Sequence, residues 1–205
     1  MSSSVSRKRV RKDPATRRAE IVTAAAAIAL AEGLECITLR RIGEELDVRP
    51  GLISHYFPSA DDLVAEAFGS AAAGELDALL PRERSGDTPL RHLAGFLSRT
   101  AGDDYDAISR LWINARHLSR YRPVLRDRVA EQEAAWRGRL EDLVREGVTA
   151  GEFRTEDPRL VAMKILVVLD GLGAHATAAR PPALLRMPAT TAEQELALPP
   201  GALTS

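Results

Sequence analysis

The chain has 205 residues, 45% of them hydrophobic and 28% charged, which is enough for one or two helical domains with a real core and typical of an ordinary soluble protein. A single cysteine, Cys36, excludes an internal disulfide framework and suits a reducing compartment. The basic N-terminus has no apolar run before Ile21, so it is not a signal peptide, and the run from Val161 to Leu172 is interrupted by Lys164 and Asp170 and too short for a bilayer; a cytoplasmic protein without membrane contact is expected.

The formal net charge of −1 is unevenly spread. Residues 1 to 18 hold Arg7, Lys8, Arg9, Arg11, Lys12, Arg17 and Arg18 against Asp13 alone, a charge of +6 that leaves −7 for the rest. Such a segment suits a flexible basic arm over residues 1–15 that follows DNA phosphates, and equally a solvated tail. The first helix is expected from Thr16 to Ala31, with Ile21, Ala25 and Ile28 on one face and Gly33 ending it.

Thr38 to Leu63 reads TLRRIGEELDVRPGLISHYFPSADDL, two short helices joined by a tight turn and a third opened by a cap. Thr38 is a good N-cap for a helix with Leu39, Ile42 and Leu46 on one face and Arg40, Arg41, Glu44 and Glu45 on the other. Asp47 falls where that helix must end, and Asp tolerates the left-handed conformation better than most residues. Pro50 suits the first position of the next helix, expected to run to Tyr56 with Ile53 and Phe57 pointing inward. Its outer face of Arg49, Gly51, Ser54, His55 and Tyr56 buries little and presents much, as a helix inserted in a DNA groove must. Ser59 to Asp62 resembles a capping box opening a helix from Ala60 to Leu80, a lever between a head over residues 16–58 and a body over 59–205.

Pro81 to Pro89 is the clearest loop. Helices are then expected at 90–101, 104–119, 123–150 and 158–177, with a weak one near 191–198. In the long third of these, Leu125, Val129, Gln132, Trp136, Leu140, Leu143 and Gly147 form a continuous inner stripe. The helix LVAMKILVVLDGL is apolar nearly all round and must be buried on two faces, one of them against a second subunit.

The segment LISHYF, followed by a helix opened by Ser, closely resembles the fingerprint of the TetR family of transcriptional regulators. GLISHYF together with the later W…RPVLR…W…GEFRTEDP…VLDGL is similar to its choline-responsive BetI-type members, a likeness covering residues 16 to about 175. It implies an all-α fold: an N-terminal three-helix helix-turn-helix domain that binds DNA and a C-terminal helical domain for ligand binding and dimerisation. It also implies that Thr38 contacts a phosphate and that Arg49, Pro50, Gly51, Ser54, His55 and Tyr56 face the major groove or its flanking backbone; Arg40, on the exposed face of the helix before, joins this DNA-binding set. Two positions depart from the family pattern, Asp47 in place of a turn glycine and Ala60 in place of a phosphate-reaching lysine.

Other chemistries find no support. His55, His92, His117 and His175 are scattered without metal-ligand spacing, and no phosphate loop, nucleophile elbow or dinucleotide fingerprint occurs. Asp61, Asp62, Asp103 and Asp104 fall at expected helix starts, where the helix dipole accounts for them. A non-enzyme without metal or cofactor is expected. The resemblance implies a pocket in the second domain, with Phe96, Trp112, Arg116, His117, Trp136, Met163 and Val167 as candidate walls, although plain core packing or surface exposure accounts for each more readily. A choline-like cation needs an aromatic cage or a buried carboxylate, and 2 Trp, 3 Tyr and 4 Phe give the composition little to offer. The expected function is a ligand-responsive dimeric repressor on a near-palindromic double-stranded operator, its effector unidentified; the alternative is a DNA-bound adaptor that recruits a protein.

Overall fold

The computed structural model describes residues 13–83, 86–100, 104–175 and 181–204. Within them the chain is helical throughout, with no strand. The basic arm's first twelve residues and the expected helix ends at 101 and at 176–177 lie outside the described residues.

Helix α1 spans Pro14–Glu32, two residues earlier than expected, because Asp13 caps it by accepting a hydrogen bond from the Thr16 amide and Pro14 takes the first turn. A short 3-10 turn at Leu34–Cys36, not foreseen, leads to α2 (Leu39–Glu45) and α3 (Pro50–Tyr56). Thr38 caps α2 by accepting from the Arg41 amide at 3.0 Å. Asp47 takes the left-handed conformation (φ 48°), and the Val48 amide closes the turn on the Gly43 carbonyl at 2.9 Å. A glutamate or lysine at position 47 would meet the steric cost that Asp tolerates. Ile21, Ala25, Ile42, Ile53 and Phe57 are buried together in this small core.

Helix α4 (Ala60–Leu79) opens with the foreseen box: Ser59 accepts from the Asp62 amide and donates its hydroxyl to the Asp62 carboxylate at 2.7 Å. It continues the chain just after α3 and packs on α1, with Leu63, Val64, Ala67, Phe68 and Ala72 buried. Its far end is held by two guanidinium groups, Arg99 donating to the Leu79 carbonyl at 2.6 Å and Arg139 to the Leu80 carbonyl at 3.1 Å. These satisfy carbonyls that the helix end leaves open.

The body adds α5 (Pro89–Arg99), α6 (Asp104–Ser119), α7 (Pro123–Thr149), α8 (Pro158–Ala174), α9 (Pro182–Leu185) and α10 (Met187–Glu195). The α7 stripe read from the sequence is buried as a whole. At its end Gly147 is required, since an added Cβ would lie 2.0 Å from the ring of buried Phe153, which folds back over the turn at Gly151. The last helix lies earlier than the expected 191–198 because Pro188 sits in its first turn, and the chain bends away at Ala197 with positive φ. The tail then returns: buried Glu193 accepts from the Leu203 amide at 2.9 Å, and Leu203 is itself buried.

Candidate nucleic-acid interface and interior pocket

The eight residues read as DNA-binding lie close together in sequence on the α2–α3 unit. Thr38, Arg40, Arg49, Pro50, Gly51, Ser54 and His55 are exposed, and Tyr56 is half-buried. Thr38 uses a lone pair on its own helix and keeps its O–H to donate. Ser54 folds its hydroxyl onto the Pro50 carbonyl at 3.3 Å, and His55 meets Tyr56 edge to face at 5.3 Å. Arg40 is paired with Glu44 at 2.9 Å, so its charge is partly answered within α2. The Arg49 side chain makes no ion pair or hydrogen bond among the described residues, which leaves the guanidinium at the start of α3 available. Gly51 has open space where a Cβ would stand, so nothing among the described residues calls for glycine there.

Two arginines of the basic segment belong elsewhere. Arg17 pairs with Glu20 at 2.8 Å, while Arg18 grips Glu66 of α4 through both terminal nitrogens and lies over the Phe57 ring at 4.7 Å. Arg18 therefore fastens the head to α4, and the charge left for an arm is smaller than the sequence count.

A cavity of about 180 Å³ lies between α4, α6, α7 and α8. Of the seven candidates for its wall, Trp112, Arg116, Trp136, Met163 and Val167 line it. Phe96 and His117 do not. Phe96 is fully buried beside the cavity, its ring 5.9 Å from that of Trp136, and His117 sits exposed on the outer face of α6 against Tyr121. Periodicity had no means of separating a residue on the wall from one a layer behind it.

The sequence reading missed Glu75, Tyr105, Glu133, Arg137 and Asp170 on the same wall. Arg116 donates to Glu133 and to Asp170, each at 2.9 Å, and its guanidinium lies 5.1 Å from the centre of the Trp112 ring. Glu75 of α4 accepts from the Trp112 indole N–H at 2.8 Å. Burial pushes the Glu75 carboxyl up to about 7, with the nearby Asp170 charge adding and the Trp112 hydrogen bond and Arg116 opposing. Burial likewise raises Tyr105, with Glu75 and Asp170 reinforcing it, and raises Asp170 against the pull of Arg116. Arg137 has no partner among the described residues. Nor do three His, Cys, Asp or Glu side chains converge among them as a metal site requires.

Two routes join cavity and head. Trp112 packs edge to face on Phe68 of α4 at 5.0 Å and bonds Glu75 on the same helix. Two residues on, Asn114 turns to the head: its carbonyl accepts from the Leu34 amide at 2.9 Å and its amide donates to Glu35 at 2.8 Å. Nothing in the sequence pattern singled out Asn114.

Residues 21–67 match the model of bacterial regulatory proteins of the tetR family, and residues 89–196 match that of the BetI-type transcriptional repressor C-terminal domain. No curated protein matches the chain. Among solved structures, a protein from a Rhodococcus species assigned to the TetR-family regulators is 21% identical, over 89% of this chain and 99% of its own, with a TM-score of 0.76. A TetR-family regulator from Cytophaga hutchinsonii is 19% identical, over 92% and 97%, with a TM-score of 0.74. A protein assigned as a regulator in Saccharomonospora viridis, solved in complex with choline, is 22% identical over 86% and 94%, with a TM-score of 0.68. These likenesses concern the fold; membership rests on the two family models, the second of which spans more than half the chain. The chain thus belongs to the TetR family, with a BetI-type C-terminal domain, and is a transcriptional regulator.

Proposed function

We propose that the protein is a cytoplasmic, homodimeric repressor whose head, residues 16–58, reads a near-palindromic operator and whose body, residues 59–205, releases it when a small organic cation enters the α4–α6–α7–α8 cavity. The observation that carries this is the placement of Glu75: it stands on the pocket wall, yet on the helix that begins directly after the DNA-reading α3. A ligand that moves Glu75 or Trp112 therefore moves the base of the head. A concave cavity with specific polar groups also favours a sensor over an adaptor.

The cavity's chemistry supports a cation. Arg116 is committed to Glu133 and Asp170, which leaves Glu75 with a neutral donor only. Trp112, Trp136 and Tyr105 supply aromatic surface around it. The few aromatics of the chain looked inadequate by count, but the fold gathers both tryptophans at one cavity. The choline complex of the Saccharomonospora viridis relative supports the same class of ligand.

In DNA, Thr38 and Tyr56 hold phosphate while Arg49 and Ser54 reach base edges. Two copies of α3 then enter successive major grooves about 34–36 Å apart. The test is selection of bound sequences from random DNA followed by hydroxyl-radical footprinting. Two protected half-sites on one face of the duplex are expected; a single protected half-site would overturn the dimeric reading.

A further inference from the structure

The described residues of the chain do not close the cavity. Its wall on α8 consists of Met163, Leu166, Val167, Leu169 and Asp170, and of these Met163 and Val167 are also among the most exposed large apolar side chains, at 42% and 65%. The mouth thus opens onto the outward face of α8. That face carries Leu160, Met163, Val167, Gly171 and Ala174, at the three- and four-residue spacing of a single helix stripe.

The stripe is complementary to itself. Val167 is its centre; Leu160 and Met163 lie seven and four residues before it, Ala174 and Gly171 the same distances after. A two-fold axis through Val167 sets each large residue against a small one, Met163 against Gly171 and Leu160 against Ala174. Gly171 has open space at its Cβ position, so no contact among the described residues asks for glycine there, whereas a Met side chain from a second copy does. The flanking charges are already answered within the chain, Lys164 by Glu195 at 2.7 Å and Asp170 by Arg116. An apolar face with its charges neutralised and its shape matched to its own image fits a second copy of this chain.

We infer that the effector cavity is completed across the two-fold axis, the second copy's α8 covering its mouth at Met163 and Val167. This rests on the dimeric reading and adds to it that the binding site is open in a monomer and closed in a dimer. An effector then binds the dimer in preference, and its exit is limited by loosening of the α8 pair. It places the centre of the dimer face at Val167, which is 65% exposed.

The chain supplies its own reporter, because its 2 Trp, Trp112 and Trp136, both line this cavity. Acrylamide quenching of their fluorescence should be measured on the intact protein while dilution dissociates the dimer, with sedimentation as the measure of association. The quenching constant should rise at least twofold in step with dissociation. Val167→Cys in a Cys36→Ser background should form a disulfide dimer on oxidation, because the two positions meet at the axis, and this species should stay protected at every concentration. Val167→Glu, checked for native helicity, should be monomeric and fully quenched. Dissociation without any change in quenching would overturn closure of the pocket while leaving the dimer intact. A Val167→Cys dimer that does not cross-link, or a dimeric Val167→Glu, would instead overturn the α8 face itself and with it the inference.

Discussion

The head and the pocket place functional side chains by opposite means. The proposed reading face of the head is one contiguous stretch, Thr38 to Tyr56, in which caps, a proline and an Asp with positive φ set the geometry residue by residue. Its interior is small, and its outward face is left exposed and largely unpaired. The pocket draws on α4, α6, α7 and α8, from Glu75 to Asp170, and most of its polar groups are half-buried and paired within the wall, Arg116 with Glu133 and Asp170 and Glu75 with Trp112. A surface meant to meet phosphates and bases keeps its donors free in water; a cavity meant to hold one small ion must already satisfy every charge that the ion does not answer. In the proposed function, the same chain therefore carries a locally encoded reader and a globally assembled sensor.

The sharpest break between them is Arg49→Ala. With no side-chain partner to lose among the described residues, it should leave stability unchanged while costing about 1–3 kcal/mol of operator binding at each half-site and altering base preference. Thr38→Ala should lower affinity evenly across sequences. Binding to a panel of single-base operator variants separates the two patterns, and an even loss at Arg49 would assign it to the backbone instead.

Glu75→Gln should do the reverse, touching stability and sensing without changing which bases are read. A folded-state carboxyl raised to about 7 from an ordinary 4.5 means that the native state holds a proton the unfolded chain has released. Its stabilising effect is complete below about pH 4.5 and is lost as pH rises through about 7. The variant removes that loss, so above pH 7 it should exceed the unmodified protein in stability by up to roughly 3 kcal/mol, as urea denaturation at pH 5 and pH 8 would show. In the unmodified protein a cation should bind more tightly as pH rises through 7, releasing the proton, and in Glu75→Gln that dependence should vanish.

Asn114→Ala falls between the two regions, because Asn114 belongs to a pocket helix but bonds the head. Losing it leaves the buried Leu34 amide without its acceptor, at a cost of about 1–3 kcal/mol. Hydrogen exchange should rise around residues 33–37 while tryptophan fluorescence from the cavity stays unchanged. A change in fluorescence without a change in exchange would place Asn114 in the pocket's support rather than the head's.

The smallest effect is the most discriminating. Gly51→Ala replaces a helical glycine with no internal contact, so it should stabilise the protein by about 0.5–1 kcal/mol. Operator affinity should nevertheless fall, because the added methyl stands where α3 approaches DNA. A variant that gained both stability and affinity would show that Gly51 lies away from the duplex.

This contrast also explains what the sequence disclosed. Thr38, Asp47, Pro50 and Ser59 act on neighbours within four residues, so their roles are written locally and the helix boundaries from α2 to α4 follow to within a residue. The α7 stripe was legible for the same reason. Glu75, Tyr105 and Asp170 gave no such signal, since each is an ordinary residue of its own helix and acquires its meaning only where four helices converge. Phe96 and His117 erred in the opposite sense, being the right types of residue one layer too deep and on the wrong side. Arg18 shows the limit of counting charge, for its partner Glu66 is far along the chain.

The central claim is that cation and operator compete through one shared conformational equilibrium, and linkage makes it measurable. A selected operator duplex should be titrated with the protein in choline chloride and in sodium chloride of equal ionic strength, followed by anisotropy of the labelled DNA. Choline binding should be followed in parallel by the tryptophan fluorescence of Trp112 and Trp136, with and without operator. The account predicts that choline lowers operator affinity beyond the salt control and that operator lowers choline affinity by the same factor. Equal operator affinity in the two salts, whether choline perturbs the tryptophans or leaves them unaffected, would contradict it.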